Sequence, residues 1–236
     1  MEYPIAEIFL APQGEGFNVG KLMTFVRLAG CTVGKRYPPS YYGEGQGAGL
    51  FPIYTNECTL ADGRTFPCDT NYTLAKKYTY VELLTEIQSL SEGCMEICLT
   101  GGEPLMHAAS GILDDLCTNL VQDGYSINLE TSGTITISEV IRDVLKLMSH
   151  VCISPKKGFR EEYLKWGGEF KILIDENFRY DEFPFIAKIA PSKVFLQPIN
   201  GEHTVNLENL NLCLVLQKKL PEARISLQAH KLWNTR

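Results

Sequence analysis

The sequence contains no long hydrophobic run, and no stretch approaches the roughly 18 apolar residues that a membrane-spanning helix needs. Its first residues, MEYPIAEIFLAPQGEG, also lack the basic region and following apolar stretch of an export signal. Both absences argue against membrane insertion and secretion. We therefore expect a cytoplasmic protein without a membrane partner.

An excess of basic side chains is also absent, because 22 lysines and arginines stand against 28 acidic residues and give a net charge of −6. A protein that binds nucleic acid needs a basic face to displace counterions from the phosphates. We therefore expect no nucleic-acid partner. A local basic pocket for one small acidic substrate is compatible with this charge.

The chain has eight cysteines, and the reducing cytoplasm disfavours their use as structural disulfides. Cys31, Cys58 and Cys68 have 26 and nine residues between them, a spacing that matches no compact metal motif. The pair in CMEIC, Cys94 and Cys98, falls within or at the start of a predicted strand, where its even offset puts both side chains on one face. We predict that the remaining cysteines are core residues: Cys94, Cys98, Cys117, Cys152 and Cys213.

Strand patterns and helix patterns alternate along most of the chain, which predicts an α/β fold with a parallel sheet and right-handed crossovers. The predicted strands are LMTFVRLAG, MEICLTGG, YSINLET, HVCISP, EFKILID, KVFLQPI and ARISLQ. Helices are predicted for TYVELLTEIQSLSEG and near 109–122, 138–148, 181–190 and 204–219, with a helical turn near 160–166. About six repeats are too few for a closed eight-fold barrel, so we expect an open partial (β/α)6 barrel. The length suits a single domain over residues 1–236.

Residues 32–66 differ from the rest because they are rich in Gly, Pro and Tyr and show no sustained periodicity. A structureless segment of this length inside a compact domain is usually functional or disordered. Two of the three widely spaced cysteines lie at or near its ends. We predict an irregular insertion that forms a lid or a partner-facing element over whatever those cysteines bind.

Polar and glycine-rich turns follow the predicted strands at AGC (29–31), LTGGEP (99–104), LETSGT (129–134), ISPKKG (153–158), LQPING (196–201) and LQAHK (227–231). Ligands of parallel α/β sheets bind at the carboxyl ends of the strands. One such turn alone would be explained by the need to satisfy a strand end. Five or more along one rim predict an active site.

The segments LTGGEPL, PQGEG, FVRLAGC and CDT, with SPK at 154–156, QP at 197–198 and the terminal SLQAHK, resemble radical S-adenosylmethionine (SAM) enzymes. Among these, the ordered set resembles the 7-carboxy-7-deazaguanine synthase family over nearly the full length. The resemblance implies a 4Fe–4S cluster held by three cysteine thiolates, with one open iron that SAM chelates. Electron transfer in that family cleaves SAM to a 5′-deoxyadenosyl radical, which carries out the chemistry.

The resemblance implies that Cys31, which follows FVRLAG, and Cys68, which precedes Asp69 and Thr70 in CDT, are cluster ligands. Cys58 is inferred as the third, because it is the sole remaining cysteine before the second predicted strand. The superfamily usually spaces these cysteines as C-x3-C-x2-C, from which this chain departs. Closure entropy grows slowly with loop length, so a long loop can still return a ligand to the site.

Further roles follow from the resemblance, which implies no catalytic side chain beyond the cluster and cofactor. The SAM-binding set is Gly101, Gly102, Glu103, Glu130, Ser132, Ser154, Pro155, Lys156, Gln197, Pro198, Ile199 and Asn200. The substrate-binding set is Pro12, Gln13, Gly14, Glu15, Arg27, Thr100, His230 and Arg236, with Arg27 suited to pair with a carboxylate. Mg2+ is assigned to the hydroxyl of Thr70, with Asp69 as an outer carboxylate.

The activity implied is a radical ring contraction of 6-carboxy-5,6,7,8-tetrahydropterin to 7-carboxy-7-deazaguanine with loss of ammonia, in queuosine-type 7-deazapurine biosynthesis. Such an enzyme is a carbon–nitrogen lyase, and the family implies a homodimer and a reducing protein such as flavodoxin. Whether the donor is a flavodoxin or a ferredoxin stays open, as does the use of the product in transfer RNA or in DNA.

Two alternatives remain. Another radical SAM reaction, such as activation of a partner protein, is disfavoured by CDT and LQAHK. A non-catalytic module holding structural zinc is disfavoured because structural zinc normally takes four ligands. Three cysteines without a suitable fourth fit an open cluster better.

Overall fold

The computed structural model describes residues 1–36, 56–68, 70–201 and 204–233. The predicted insertion at 32–66 is therefore described only at its two ends. Two residues assigned by resemblance, Asp69 and Arg236, lie outside the described residues.

The described residues form strands and helices in the following order. The strands are β1 (Tyr3–Pro12), β2 (Leu22–Leu28), β3 (Lys35–Arg36), β4 (Asn56–Thr59), β5 (Thr65–Cys68), β6 (Lys76–Tyr78), β7 (Glu96–Gly101), β8 (Ser126–Thr131), β9 (His150–Ile153), β10 (Glu169–Ile174), β11 (Val194–Pro198) and β12 (Arg224–Ile225). The helices are α1 (Tyr80–Ser91), α2 (Ile112–Gln122), α3 (Glu139–Leu147), α4 (Leu207–Lys219) and α5 (Ala229–Trp233).

The main sheet has the strand order β12-β11-β10-β9-β8-β7-β2-β1-β6. From β2 through β12 every neighbouring pair is parallel, which confirms the open partial barrel predicted from the strand and helix alternation. The last predicted strand, ARISLQ, is reduced to the two residues of β12. A separate small sheet has the order β3-β4-β5.

Two antiparallel strands extend the sheet beyond β2 and were not predicted. β1 pairs with β2, and β6 pairs with β1, both in antiparallel register. Alternating burial along β1, at Tyr3, Ile5, Phe9 and Ala11, shows that its sequence carried a strand signal. This edge brings the turn after Pro12 into the barrel.

The predicted helix at 181–190 is wrong. Three short 3₁₀ turns occupy this crossover instead, at Tyr180–Glu182, Pro184–Lys188 and Pro191–Lys193. Pro184 and Pro191 each begin one of these turns, because proline lacks the N–H that a continuing helix requires. The helix predicted near 109–122 is likewise divided, into a 3₁₀ turn at Pro104–Ser110 and α2, by Gly111 with a φ of 74°.

The outer face of the sheet buries aliphatic side chains under the helices. Leu83 and Ile87 of α1 are fully buried there, and α1 begins with a capping box formed by Thr79 and Glu82. The inner face carries polar side chains in the middle of several strands, among them Glu130 and Lys171. The main apolar core therefore lies outside the barrel; a smaller apolar cluster that includes Phe9 and Phe25 borders the cavity, and the rest of the interior is left for a ligand site.

No helix in the part of the chain that the structure describes has the length and apolar character needed to cross a membrane.

Candidate active site

A cavity of about 640 Å³ opens inside the barrel and extends to the carboxyl ends of the parallel strands. Most of the predicted site residues line it. They are Pro12, Gln13, Gly14, Glu15, Arg27, Cys31, Cys58, Cys68, Thr70, Thr100, Gly101, Gly102, Glu130, Ser132, Ser154, Lys156, Gln197, Ile199, Asn200 and His230. The volume suits one or two small molecules.

Three predicted site residues do not line the cavity. Glu103 is fully buried, and its carboxylate accepts hydrogen bonds from the hydroxyl of Thr131 (2.7 Å) and the backbone N–H of Ser132 (2.9 Å). Its side chain is therefore occupied in joining the turn after β7 to the end of β8. Pro155 and Pro198 are buried outside the cavity wall.

Cys58 and Cys68 lie on the β4–β5 hairpin, and this hairpin explains their spacing. In its antiparallel register Asn56 faces Cys68, and Cys58 faces Phe66. The two cysteines are thus diagonal neighbours on one face, where such positions are about 7–8 Å apart. The nine residues between Cys58 and Cys68 are the end of β4, the turn of the hairpin and most of β5.

Cys31 is held by the turn after β2. Its sulfur accepts hydrogen bonds from the backbone N–H groups of Val33 (3.4 Å) and Gly34 (3.2 Å). The turn packs against the glycines of TGGEP, where a Cβ on Gly102 would overlap the carbonyl oxygen of Gly30 and the Cβ of Cys31. Glycine at position 102 is therefore required for this packing.

The sulfur of Cys58 is buried beside the side chain of Lys156. Burial raises the pKa of the Cys58 thiol to about 11; the charge of Lys156 opposes this rise, and the nearby sulfurs of Cys68 and Cys31 add to it. Lys156 is itself buried, and its Nζ lies 2.5 Å from Oγ of Ser154. A metal that binds Cys58 must therefore displace a tightly held proton.

Within the described ranges, no three His, Cys, Asp or Glu side chains are grouped so that they could hold a single metal ion. A 4Fe–4S cluster places its thiolates on different iron atoms, so its ligands surround a volume and need not meet at one point.

A buried network of charged and amide groups forms part of the cavity wall. Lys171 on β10 pairs with the carboxylate of Glu15, and its Nζ lies 3.9 Å from Oε1 of Glu130. Gln197 donates to Oε1 of Glu15 (3.1 Å). Burial alone would raise the pKa of Glu15, but the charges of Lys171 and His230 lower it to about 2.

Glu130 joins this network to two residues predicted to bind the substrate. It accepts hydrogen bonds from Nε2 of Gln13 (3.1 Å) and from Oγ1 of Thr100 (2.8 Å). Glu130 was predicted to contact SAM, but these partners group it with the predicted substrate residues.

Arg27 points into the cavity from β2, as predicted. Its Nε lies 3.5 Å from Oε2 of Glu7, and its guanidinium stands 5.8 Å from the ring centroid of Phe9. The guanidinium of Arg27 is partly buried between Glu7 and Phe9. Its other edge can pair with a planar anion such as a carboxylate.

Sequence reasoning missed Lys171, which lines the cavity from β10, and predicted Cys152 to be only a core residue, whereas Cys152 is buried and also lines the cavity from β9. A signal for Lys171 was present in EFKILI, because Glu169, Lys171 and Leu173 share one face of the strand. Two charged residues on one face of an otherwise apolar strand indicate a polar interior.

Among the cysteines predicted to be in the core, Cys98, Cys117 and Cys213 are fully buried. Cys94 is different: it precedes β7, is partly exposed, and its Sγ donates to the carbonyl oxygen of Leu22 (3.3 Å). The predicted placement of Cys94 in the core is therefore wrong, because the strand begins two residues after it.

Comparisons with known proteins identify near-full-length relatives. The chain is 29% identical to the 7-carboxy-7-deazaguanine synthase of Bradyrhizobium diazoefficiens over 240 residues, covering 98% of each chain. It is 27% identical to the enzyme of the same name from Haemophilus influenzae over 237 residues, covering 98% of this chain and 92% of the relative. No protein-family model matches the chain.

The fold matches the crystal structure of QueE from Escherichia coli with a TM-score of 0.63 and 22% identity, covering 98% of this chain and 95% of that one. The chain therefore shares the fold of that protein, an open partial barrel, and Cys31, Cys58 and Cys68 line the cavity of its own barrel. In sequence the chain is similar to curated 7-carboxy-7-deazaguanine synthases over nearly its full length, in agreement with the resemblance of its motifs.

Proposed function

We propose that this chain is a 7-carboxy-7-deazaguanine synthase, a radical SAM carbon–nitrogen lyase of queuosine-type 7-deazapurine biosynthesis. It converts 6-carboxy-5,6,7,8-tetrahydropterin to 7-carboxy-7-deazaguanine and releases ammonia. The observation that carries the proposal is the convergence of Cys31, Cys58 and Cys68 with the glycine turn and the Glu15 network in one cavity. Similarity to curated synthases over 98% of the chain supports the same activity.

The cluster ligands in this proposal are Cys31, Cys58 and Cys68. Their donor set fits a 4Fe–4S cluster, because three thiols face one cavity and backbone N–H groups already surround the sulfur of Cys31. The cluster and SAM together supply the electron and the radical that begin the reaction. Lys156 places a positive charge beside the thiolates, where it offsets part of their negative charge.

SAM and Mg2+ are proposed to bind between the cysteines and the strand ends. The glycine backbone at Gly101 and Gly102 allows close approach of a ligand, and Ser132, Ser154 and Asn200 offer polar groups around it. The hydroxyl of Thr70 lines the same cavity and is the proposed Mg2+ ligand, with the substrate and water completing the shell.

The substrate is proposed to lie against the Glu15 network. A pterin edge carries N–H donors, and the carboxylates of Glu15 and Glu130 are acceptors held in place by Lys171, Gln197 and Thr100. The guanidinium of Arg27, which lines the same cavity, suits the carboxylate of the substrate.

The proposal further includes a reducing protein such as flavodoxin, a homodimer and a cytoplasmic location. None of the eight cysteines forms a disulfide in the described residues. The electron donor and the dimer rest on the family resemblance.

Anaerobic reconstitution of the wild type, Cys58→Ala and Cys94→Ala tests the proposal. Cys94→Ala is the matched control, because Cys94 is partly exposed and lies outside the cavity. We expect the wild type and the control to hold four irons per chain, as a cubane cluster requires, and to form product from SAM and the tetrahydropterin, and Cys58→Ala to lose both. A wild type that holds iron but ignores the pterin would exclude this substrate, and a Cys58→Ala variant that keeps its cluster would exclude Cys58 as a ligand.

A further inference from the structure

The hairpin that carries Cys58 and Cys68 makes few secondary-structure contacts with the barrel. The backbone N–H of Lys157 donates to the carbonyl of Thr59 (3.0 Å), and Leu60 forms an isolated bridge with Lys156. Strands β4 and β5 have four residues each, and β3, which also pairs with β4, has only two, so this small sheet has little stability of its own in water. A further anchor is needed to hold two metal ligands in a fixed position.

Arg64, in the turn of the hairpin, makes such an anchor. Its Nε lies 2.5 Å from Oδ2 of Asp62 within the turn, and its Nη1 pairs with Oδ1 of Asp175 across the gap to the barrel. Asp175 directly follows β10 and also accepts the N–H of Asn177, so its carboxylate is fixed to the rim. The guanidinium thus bridges the hairpin turn and the end of a central strand.

Neighbouring contacts tie the turn to the strand that holds Cys58. The N–H of Leu60 donates to the carbonyl of Arg64 (2.7 Å), and the N–H of Arg64 donates to Oδ1 of Asp62 (3.0 Å). Arg64 does not line the cavity, so it has no direct access to a ligand there. Its effect on the site must pass through the position of the hairpin.

We propose that Arg64 is a positioning residue for the cluster: its ion pairs with Asp62 and Asp175 hold the β4–β5 hairpin, and with it the sulfurs of Cys58 and Cys68, over the cavity before metal binds. The assignment of the cluster ligands rests on the proposed function. The anchoring of the hairpin does not depend on it, because the contacts of Arg64 with Asp62 and Asp175 involve protein groups alone.

The test compares Arg64→Met, Asp175→Asn and the conservative Arg64→Lys with the wild type and Arg179→Met. Arg179 is the matched control because it is exposed and its Nη1 donates to backbone carbonyls of Glu176 and Phe178 in its own segment. Amide hydrogen exchange of residues 56–68 is measured in the metal-free proteins. After anaerobic reconstitution, the rate of iron loss to a chelator and the electron paramagnetic resonance spectrum of the reduced cluster are recorded.

We expect Arg64→Met and Asp175→Asn to exchange the hairpin amides about tenfold faster and to lose iron about tenfold faster, since a charge-assisted pair is removed. Arg64→Lys should show smaller increases in hairpin exchange and in iron loss than Arg64→Met, because it keeps the positive charge. Arg179→Met should match the wild type in both rates. Hairpin exchange and iron loss at wild-type rates in Arg64→Met would overturn the proposal. Uniformly faster exchange throughout the protein would also overturn it, because the effect would then be general loss of stability.

The exchange experiment separates this inference from the proposed function. Faster hairpin exchange in the variants of a protein that forms no deazaguanine product would support the anchor and reject the synthase assignment. Normal turnover in the wild type, with unchanged hairpin exchange in Arg64→Met, would reject the anchor alone.

Discussion

Substitution of Lys171 by methionine removes the ammonium group from the buried network of Glu15, Glu130 and Gln197. The pKa of Glu15 is about 2, against an ordinary value of 4.5. At about 1.4 kcal/mol per pKa unit, this difference corresponds to about 3 kcal/mol of stability at neutral pH. Burial alone acts in the opposite direction, so removing one partner of the buried pair should cost about 3–5 kcal/mol.

The effect has a defined pH dependence. In the wild type the pKa of Glu15 is depressed, so its contribution to stability is fully present above pH 4.5 and is lost as the pH falls towards 2. In Lys171→Met the largest charge that opposes burial is gone and His230 remains, so the pKa of Glu15 rises above its wild-type value. The folded variant then takes up a proton more readily as the pH falls from 7 to 5. The deficit relative to the wild type should therefore be larger at pH 7 than at pH 5.

Urea unfolding of the metal-free proteins at both pH values measures this deficit. The double variant Lys171→Met/Glu15→Gln should recover about 2 kcal/mol or more, because it removes the unpaired charge. Lys188→Met is the matched control, since the pair of Lys188 with Glu161 is about half exposed and should contribute less than about 1 kcal/mol. A loss below about 1 kcal/mol in Lys171→Met, or a double variant no more stable than the single one, would refute the reasoning.

Two further substitutions test the turn after β7. Gly102→Ala places a Cβ against the carbonyl oxygen of Gly30 and against Cys31, so we expect reduced iron content after reconstitution; full iron binding would contradict this close approach. Glu103→Gln replaces an acceptor of hydrogen bonds from Thr131 and Ser132 with a group that is partly a donor, and should lower the free energy of unfolding by about 1–3 kcal/mol in urea. Wild-type stability would count against the structural role of Glu103.

The alternation of strand and helix patterns was enough to predict the parallel part of the sheet, because each buried strand is a short apolar run bounded by glycine or a helix cap. The helix predicted at 138–148 lies at 139–147, and the one predicted at 204–219 lies at 207–219. Prediction failed at 181–190, where a helical pattern contains Pro184 and is followed by Pro191. It also missed β1 and β6, whose place depends on pairing partners distant in sequence.

The candidate site was predictable where polar side chains lie at the ends of strands, as at Thr100 and Ser154. It was not predictable at Lys171, which lies in the middle of a strand and acquires its role only when Glu15 reaches it from a turn 156 residues away. Glu103 shows the reverse case: it lies in a motif turn, but its carboxylate binds Thr131 and does not line the cavity. Position in a motif does not fix the direction of a side chain.

The β4–β5 hairpin has a consequence for how metal motifs are recognised in sequences. Here the geometry of two candidate ligands is set by which residues pair across the strands, with Asn56 opposite Cys68 and Cys58 opposite Phe66. A slip of one residue in that pairing would turn one sulfur to the opposite face of the ribbon. A search pattern with fixed gaps between cysteines passes over such a site, whereas a pattern built on cross-strand pairing would detect it at any length of the turn.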